Sequence, residues 1–176
     1  FFDDATALNT RVEFSESGIY TLQLMADDGE LTAHDNVIIT VDDGTQAEEI
    51  SSVGVEASSS DNNVAENAFD GDLSTRWSAL GSGEYLTIDL GGQHNVTALH
   101  AAWFKGDQRQ ADYQINISDD AMSWTTVNAG SSSGESLDLE YISVNSSGRY
   151  LRIVGLGNSS NNWNSITEIK IFGAVE

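Results

Sequence analysis

From residue 51 onward, apolar residues come in short runs, and no run holds a 3.6-residue period for three turns. The runs are Val53–Ala57, Tyr85–Leu90, Val96–Phe104, Asp112–Ser118, Trp124–Val127, Leu137–Val144, Arg149–Val154 and Ile166–Phe172, each closed by Gly, Asn, Asp or Ser. Val, Ile, Leu, Thr, Tyr and Trp between turn residues predict β-strands. About eight strands in roughly 125 residues predict an all-β fold, an antiparallel β-sandwich or jelly roll. An acidic chain can also stay disordered. Here six Phe, five Tyr and four Trp, spread through the alternating runs, argue for packed sheets.

The chain holds 28 acidic and 7 basic residues, a formal charge of −21. That excess argues against nucleic acid as a partner, because affinity for phosphate comes mostly from Lys and Arg. It also argues against an anionic membrane surface. No apolar run approaches the roughly 18 residues of a membrane helix. With no cysteine, the chain has no disulfide, no thiol catalysis and no cysteine zinc site. The N-terminus does not read as a signal peptide, so the chain is expected to be mature or excised from something longer.

Residues 1–50 carry twelve acidic groups against one basic residue, Arg11; sixteen acidic and six basic residues follow. The charged stretch Asp42–Glu49 reads as a linker, so the expected organisation is 1–43, a linker at 44–50, and a domain over 51–174. Three strand-like runs precede the linker: Arg11–Phe14, Tyr20–Met25 and Asn36–Val41, with Asp28-Gly29 as a hairpin-type turn signal. Three strands rarely make an independent core. The run FSESGIYTLQLMADDGELTAHDNVIITV resembles the end of a PKD-like or immunoglobulin-like module, which implies the C-terminal half of a spacer.

Four further motifs occur in order: NAFDGDLSTRWSA, YLTIDLG, YQINISDDAMSWTTV and GRYLRIVGLGNSSNNWNSITEIKIFG. Together they resemble a discoidin, or coagulation-factor type-C, domain over about residues 51–174. AAWFKGDQR and GNSSNNWNSITE are similar to family 32 carbohydrate-binding modules of marine bacterial alginate lyases and agarases. The resemblance makes Trp77 a core residue, and Trp124 another.

Asp70-Gly71-Asp72 is by itself the sequence of a solvated turn that also offers hard oxygen ligands. The resemblance implies structural calcium there, held by the carbonyls of Asn67 and Asp72, the Asp70 carboxylate, Thr75 and Glu168. The ligand site is expected where two loops combine Trp with cationic or amide groups: Trp103, Lys105 and Arg109 in one, Asn158, Asn162 and Trp163 in the other. An aromatic face can stack on sugar C–H groups, and a guanidinium can give parallel bonds to hydroxyls or a carboxylate. Trp103 reads equally well as a core residue. If the loop site fails, the alternative location is near Arg76.

Enzyme signals are poor. Gly130–Gly134 fits G-x-S-x-G literally, but all three histidines precede it and it lies in a Ser-rich stretch. Asp119-Asp120 reads as a turn. The expected function is therefore a non-catalytic module that binds a polysaccharide or oligosaccharide. It would be monomeric, linked covalently to a catalytic domain in a bacterial, secreted, extracellular parent such as an alginate lyase or agarase. The alternatives are an adhesion or lectin module of the same fold, an enzyme, or a membrane-binding relative.

Overall fold

The computed structural model describes residues 2–7, 10–15, 18–41 and 47–174. The chain divides into two units, 1–45 and 46–176.

The first unit is built on a hairpin. Strand β1 (Gly18–Asp27) pairs antiparallel with β2 (Thr32–Val41) from Gly18↔Val41 to Asp27↔Thr32. The connection uses the expected Asp-Gly: the Asp28 carboxylate accepts bonds from the peptide N–H groups of Glu30 and Leu31, and Gly29 takes φ +88°. The third expected strand, Arg11–Phe14, does not form; within it Val12 makes an isolated bridge to Phe2. Both hairpin faces stay largely open, with Ile19, Leu24, Leu31 and Ile38 exposed.

The second unit contains eight strands among its described residues. They are β3 (Ala47–Glu49), β4 (Gly54–Ala57), β5 (Trp77–Leu80), β6 (Glu84–Trp103), β7 (Ala111–Ser118), β8 (Thr125–Ser131), β9 (Glu140–Asn158) and β10 (Trp163–Ala174). Their pairings are antiparallel, along the order β3-β10-β6-β9-β7-β8, with β4 on β6 and β5 on β10. Two strands serve both layers. The first part of β6 (84–89) pairs with β4 and the end of β9, and the second part (94–103) pairs with β10 and the start of β9. The register of β6 on β9 shifts between Asp89 and His94, where Gly91 takes φ +79°. A strand that bends this way turns from one sheet into the other, the usual corner device of a sandwich.

Alternation along each strand sends Leu86, Ile88, Leu90, Ile115, Ile117, Leu151 and Ile153 inward from one layer, and Leu99, Ala101, Ile142, Val144, Ile169 and Ile171 from the other. Trp77 lies in this core with no exposed surface, and its Nε1–H donates to the Ser59 carbonyl at 2.9 Å. Trp124 departs from the core expectation. It is half-buried on the outer face, stacked 3.9 Å from the Arg152 guanidinium.

Of the expected linker, residues 44–46 lie outside the described residues. Ala47–Glu49 is not a linker but a short edge strand on Phe172–Ala174; its three side chains are all exposed, which is why they read as linker composition.

One surface pair clamps a corner. Arg149 donates from Nε and Nη2 to the two Asp89 oxygens, each at 2.9 Å. These bonds, with the Gly91 N–H and the Arg149 charge, outweigh desolvation and hold the Asp89 carboxyl below its ordinary value. Its stabilisation is therefore full above the unfolded aspartate value and lost as pH falls through the lower folded value. Both side chains are partly exposed, so the pair contributes little. Arg149→Met should lower the melting temperature slightly at pH 7 and by less at pH 2. An equal deficit at both pH values would reject the clamp.

Candidate functional site

The segment that leaves β6 is a tight turn. Gly106 N–H donates to the Trp103 carbonyl at 2.9 Å, and Gln108 and Arg109 N–H donate to the Lys105 carbonyl at 3.0 and 3.2 Å. Lys105 sits in the left-handed region, at φ +57°. Glycine is required at 106 because a Cβ there would run into the backbone carbonyl of Ser136. The turn folds Arg109 back so that its Nε donates to the Phe104 carbonyl at 3.3 Å. Its guanidinium lies 5.6 Å from the Phe104 ring centre.

A second guanidinium approaches the same ring from the segment before β5, with Arg76 at 4.2 Å. Lys105 Nζ lies 5.6 Å from it. Three of the six basic residues after position 50 thus surround one phenyl ring, in a chain of charge −21.

Pairing of β5 with β10 brings Trp163 opposite Leu80 and Ser165 opposite Ser78, whose hydroxyls share a buried 2.7 Å hydrogen bond. Asp61, Arg76, Ser78, Phe104, Arg109, Trp163 and Ser165 line a depression of about 210 Å³. The Arg76 Nε–H is buried without a partner, and neither guanidinium forms an ion pair among the described residues. Burial, and then the charge of Arg76, pushes the Arg109 guanidinium below its ordinary value. Desolvation raises the Asp61 carboxyl, but bonds from Asn63 and the Arg76 charge hold it below its ordinary value. The depression is therefore a half-dry cationic pocket with an aromatic floor and wall. It is suited to an anionic, hydroxyl-bearing ligand.

The structure brings Arg109 and Trp163 together, as expected from the two loops. Lys105 lies at the same ring but lines a neighbouring cavity. Asn158 and Asn162 do not line the depression. Asn158 is occupied in its own turn, donating to the Trp163 carbonyl at 2.7 Å and to Asn161 Oδ1 at 2.9 Å. Asn162 is exposed, and its carbonyl accepts the Gly81 N–H at 3.0 Å. Trp103 needs correction as a sugar platform. It is 3% exposed and stacked on Tyr113, with centroids 5.4 Å apart, because alternation at the end of β6 turns it inward. The same alternation turns Phe104 out. Phe104, Ser78, Ser165 and Asp61 escape sequence reasoning, although the inward Trp103 signals the outward Phe104.

The five residues read as metal ligands also converge. Thr75 Oγ1 lies 3.3 Å from the Asn67 carbonyl, 2.7 Å from Asp70 Oδ2 and 3.0 Å from the Asp72 carbonyl. One hydroxyl proton cannot serve three acceptors. Glu168, 6% exposed, accepts the Gly71 N–H at 2.9 Å. Burial pushes its carboxyl up, and the Asp70 charge adds to the rise. Only two of these donors are carboxylates, and no group of three acidic, His or Cys side chains that could hold a metal occurs among the described residues. An all-oxygen set with neutral carbonyls fits a hard cation such as calcium.

The F5/8 type C domain family matches residues 46–169. The CBM32 of AlyQ, solved in complex with 4,5-unsaturated mannuronic acid, is 49% identical, with a TM-score of 0.71 over 72% of this chain and 99% of that one. A truncated AlyQ with CBM32 and alginate lyase domains is 48% identical, with a TM-score of 0.72; the match covers 75% of this chain and 34% of that one. A pectin-binding carbohydrate-binding module is 27% identical, with a TM-score of 0.66 over 69% and 91%. No curated protein matches the chain. The match over residues 46–169, the sandwich and the relatedness to modules that bind sugars lead to one assignment: the chain belongs to the F5/8 type C family and is a carbohydrate-binding module of the CBM32 kind.

Proposed function

We propose that this module recognises a uronic acid in an acidic polysaccharide such as alginate, and serves to hold a catalytic domain on that substrate. The observation that carries the reading is the pair Arg76 and Arg109, two guanidiniums without an ion-pair partner among the described residues, on one aromatic ring. A carboxylate placed there accepts charge-assisted bonds from both and relieves their mutual repulsion. The Trp163 indole, half-buried at the rim, offers a face for the sugar C–H groups. Support also comes from AlyQ, whose module is seen with an unsaturated mannuronic acid.

Binding of this kind raises the effective concentration of substrate at a linked catalytic domain, so even a weak site is useful. Residues 1–43 would act as a spacer in a secreted, extracellular parent. Calcium bound by Asn67, Asp70, Asp72, Thr75 and Glu168 would supply no chemistry at the sugar. It would tie the 67–75 loop, which leads into Arg76, to β10.

The reading is tested by calorimetric titration with mannuronate oligosaccharides and with neutral agarose oligosaccharides. Uronates should bind, more weakly as salt rises, and neutral sugars should not. Equal affinity for both classes would refute the role of the arginines.

A further inference from the structure

Behind the Phe104 ring, the structure holds a second and larger cavity of about 420 Å³, whose walls include Leu73, Trp103, Phe104, Lys105 and Leu137. We propose that it receives the next sugar unit of the same glycan, so that the module binds two consecutive residues of the chain rather than one end unit. This rests on the reading of the arginine pocket as a uronate site.

Three observations converge on it. Phe104 lines both cavities, so a ligand seated beside Arg76 and Arg109 continues past the ring edge into the second space. Small-molecule sites run from about 300 to 1,000 Å³. The arginine pocket alone falls below that range, and the second cavity lies within it. Leu73 and Leu137 are large apolar side chains left about half exposed at its rim, 49% and 53%, and offer faces to ring C–H groups.

The polar groups define how this unit is read. Asp107, Gln108 and Asp138 line the cavity together with Lys105. Two carboxylates against one ammonium disfavour a second anion in contact with the wall but accept hydroxyl protons well. The second unit is therefore gripped through its ring faces and hydroxyls, with any carboxylate of its own turned to solvent. Charge recognition stays with the arginines, which fixes the direction in which the glycan lies.

The test is an NMR titration with mannuronate mono-, di- and trisaccharides, using the wild type and Leu137→Trp, which fills the cavity at an exposed position. The wild type should bind the disaccharide at least tenfold more tightly than the monosaccharide, with little further gain for the trisaccharide. Leu137→Trp should retain monosaccharide affinity and lose the gain. Equal mono- and disaccharide affinity, or a gain that survives Leu137→Trp, overturns the second subsite while leaving the arginine pocket intact. Failure of all three sugars to bind overturns the pocket and this subsite with it.

Discussion

Replacing Arg76 and Arg109 together by alanine is expected to remove detectable binding of uronate oligosaccharides and to lower the melting temperature by only a few degrees. A hydrogen bond to a charged group is worth roughly 1.5–3 kcal/mol, so each single variant should lose about ten- to a hundredfold. The losses will not add, because both guanidiniums sit on one ring and would share one carboxylate. The fold should tolerate the change for two reasons. Neither arginine forms an ion pair among the described residues, and their mutual repulsion disappears with them. The loss of cation–π contact to Phe104 costs about 0.5–1 kcal/mol each. Arg109→Lys should restore charge without restoring affinity, since an ammonium cannot give two parallel bonds. Wild-type affinity in the double variant, measured by calorimetry on protein that still melts cooperatively, would place the sugar elsewhere.

The second large effect concerns the oxygen cluster around Thr75. A cation bound only by the folded state stabilises it by mass action, about 2.7 kcal/mol at a hundredfold excess over Kd. For a unit of this size EDTA should then lower the melting temperature by roughly 5–10 °C. Asp70→Ala should melt at the chelated temperature whether or not calcium is added. Glu168→Gln separates the cation from simple packing. It should lose the calcium response, yet without calcium it should melt no lower than wild type. The reason is that the buried carboxylate, facing Asp70, is itself unfavourable when no cation is present. Identical scans with and without chelator, on protein shown to be free of the ion, would remove calcium from the account.

What the order of residues reveals depends on which signals are local. Alternation is local, so the strand runs and the inward Leu86, Ile88, Ile115 and Ile153 are legible in the chain itself. The joining of Tyr85–Leu90 to Val96–Phe104, and of Leu137–Val144 to Arg149–Val154, is not. Gly91-Gly92 and Ser146–Gly148 look like turns, while in the fold they are bends within continuous strands that cross between layers. Strand β5 escapes sequence reasoning because Trp77–Leu80 is only four residues long and belongs by sequence to the loop after Thr75. The convergence of oxygens around Thr75 is legible because one motif holds four of the five residues, and the family resemblance adds Glu168. The arginine pocket can be read only in part. Its members come from positions 61, 76–78, 104–109 and 163–165, and only the pairings of β10 with β5 and β6 reveal that Arg76 and Arg109 share a ring. Sequence points to Trp103 because tryptophan next to a charged turn looks like a platform; one step of alternation instead places Phe104 at the pocket.

The geometry of β10 also bears on how the module carries force. Its first residue, Trp163, lines the arginine pocket, and its last, Ala174, pairs with Ala47 at the start of the sandwich. Twelve residues of extended strand separate these ends by roughly 35 Å. Residues 47 and 174 are therefore neighbours at the pole opposite the arginine pocket. Drag on a bound polymer is then resisted lengthwise along β10, where the hydrogen bonds to β6 and β5 yield together in shear. A pull applied between residues 47 and 174 instead loads the three-residue β3–β10 pairing one bond at a time, so that contact is where the module would begin to unzip.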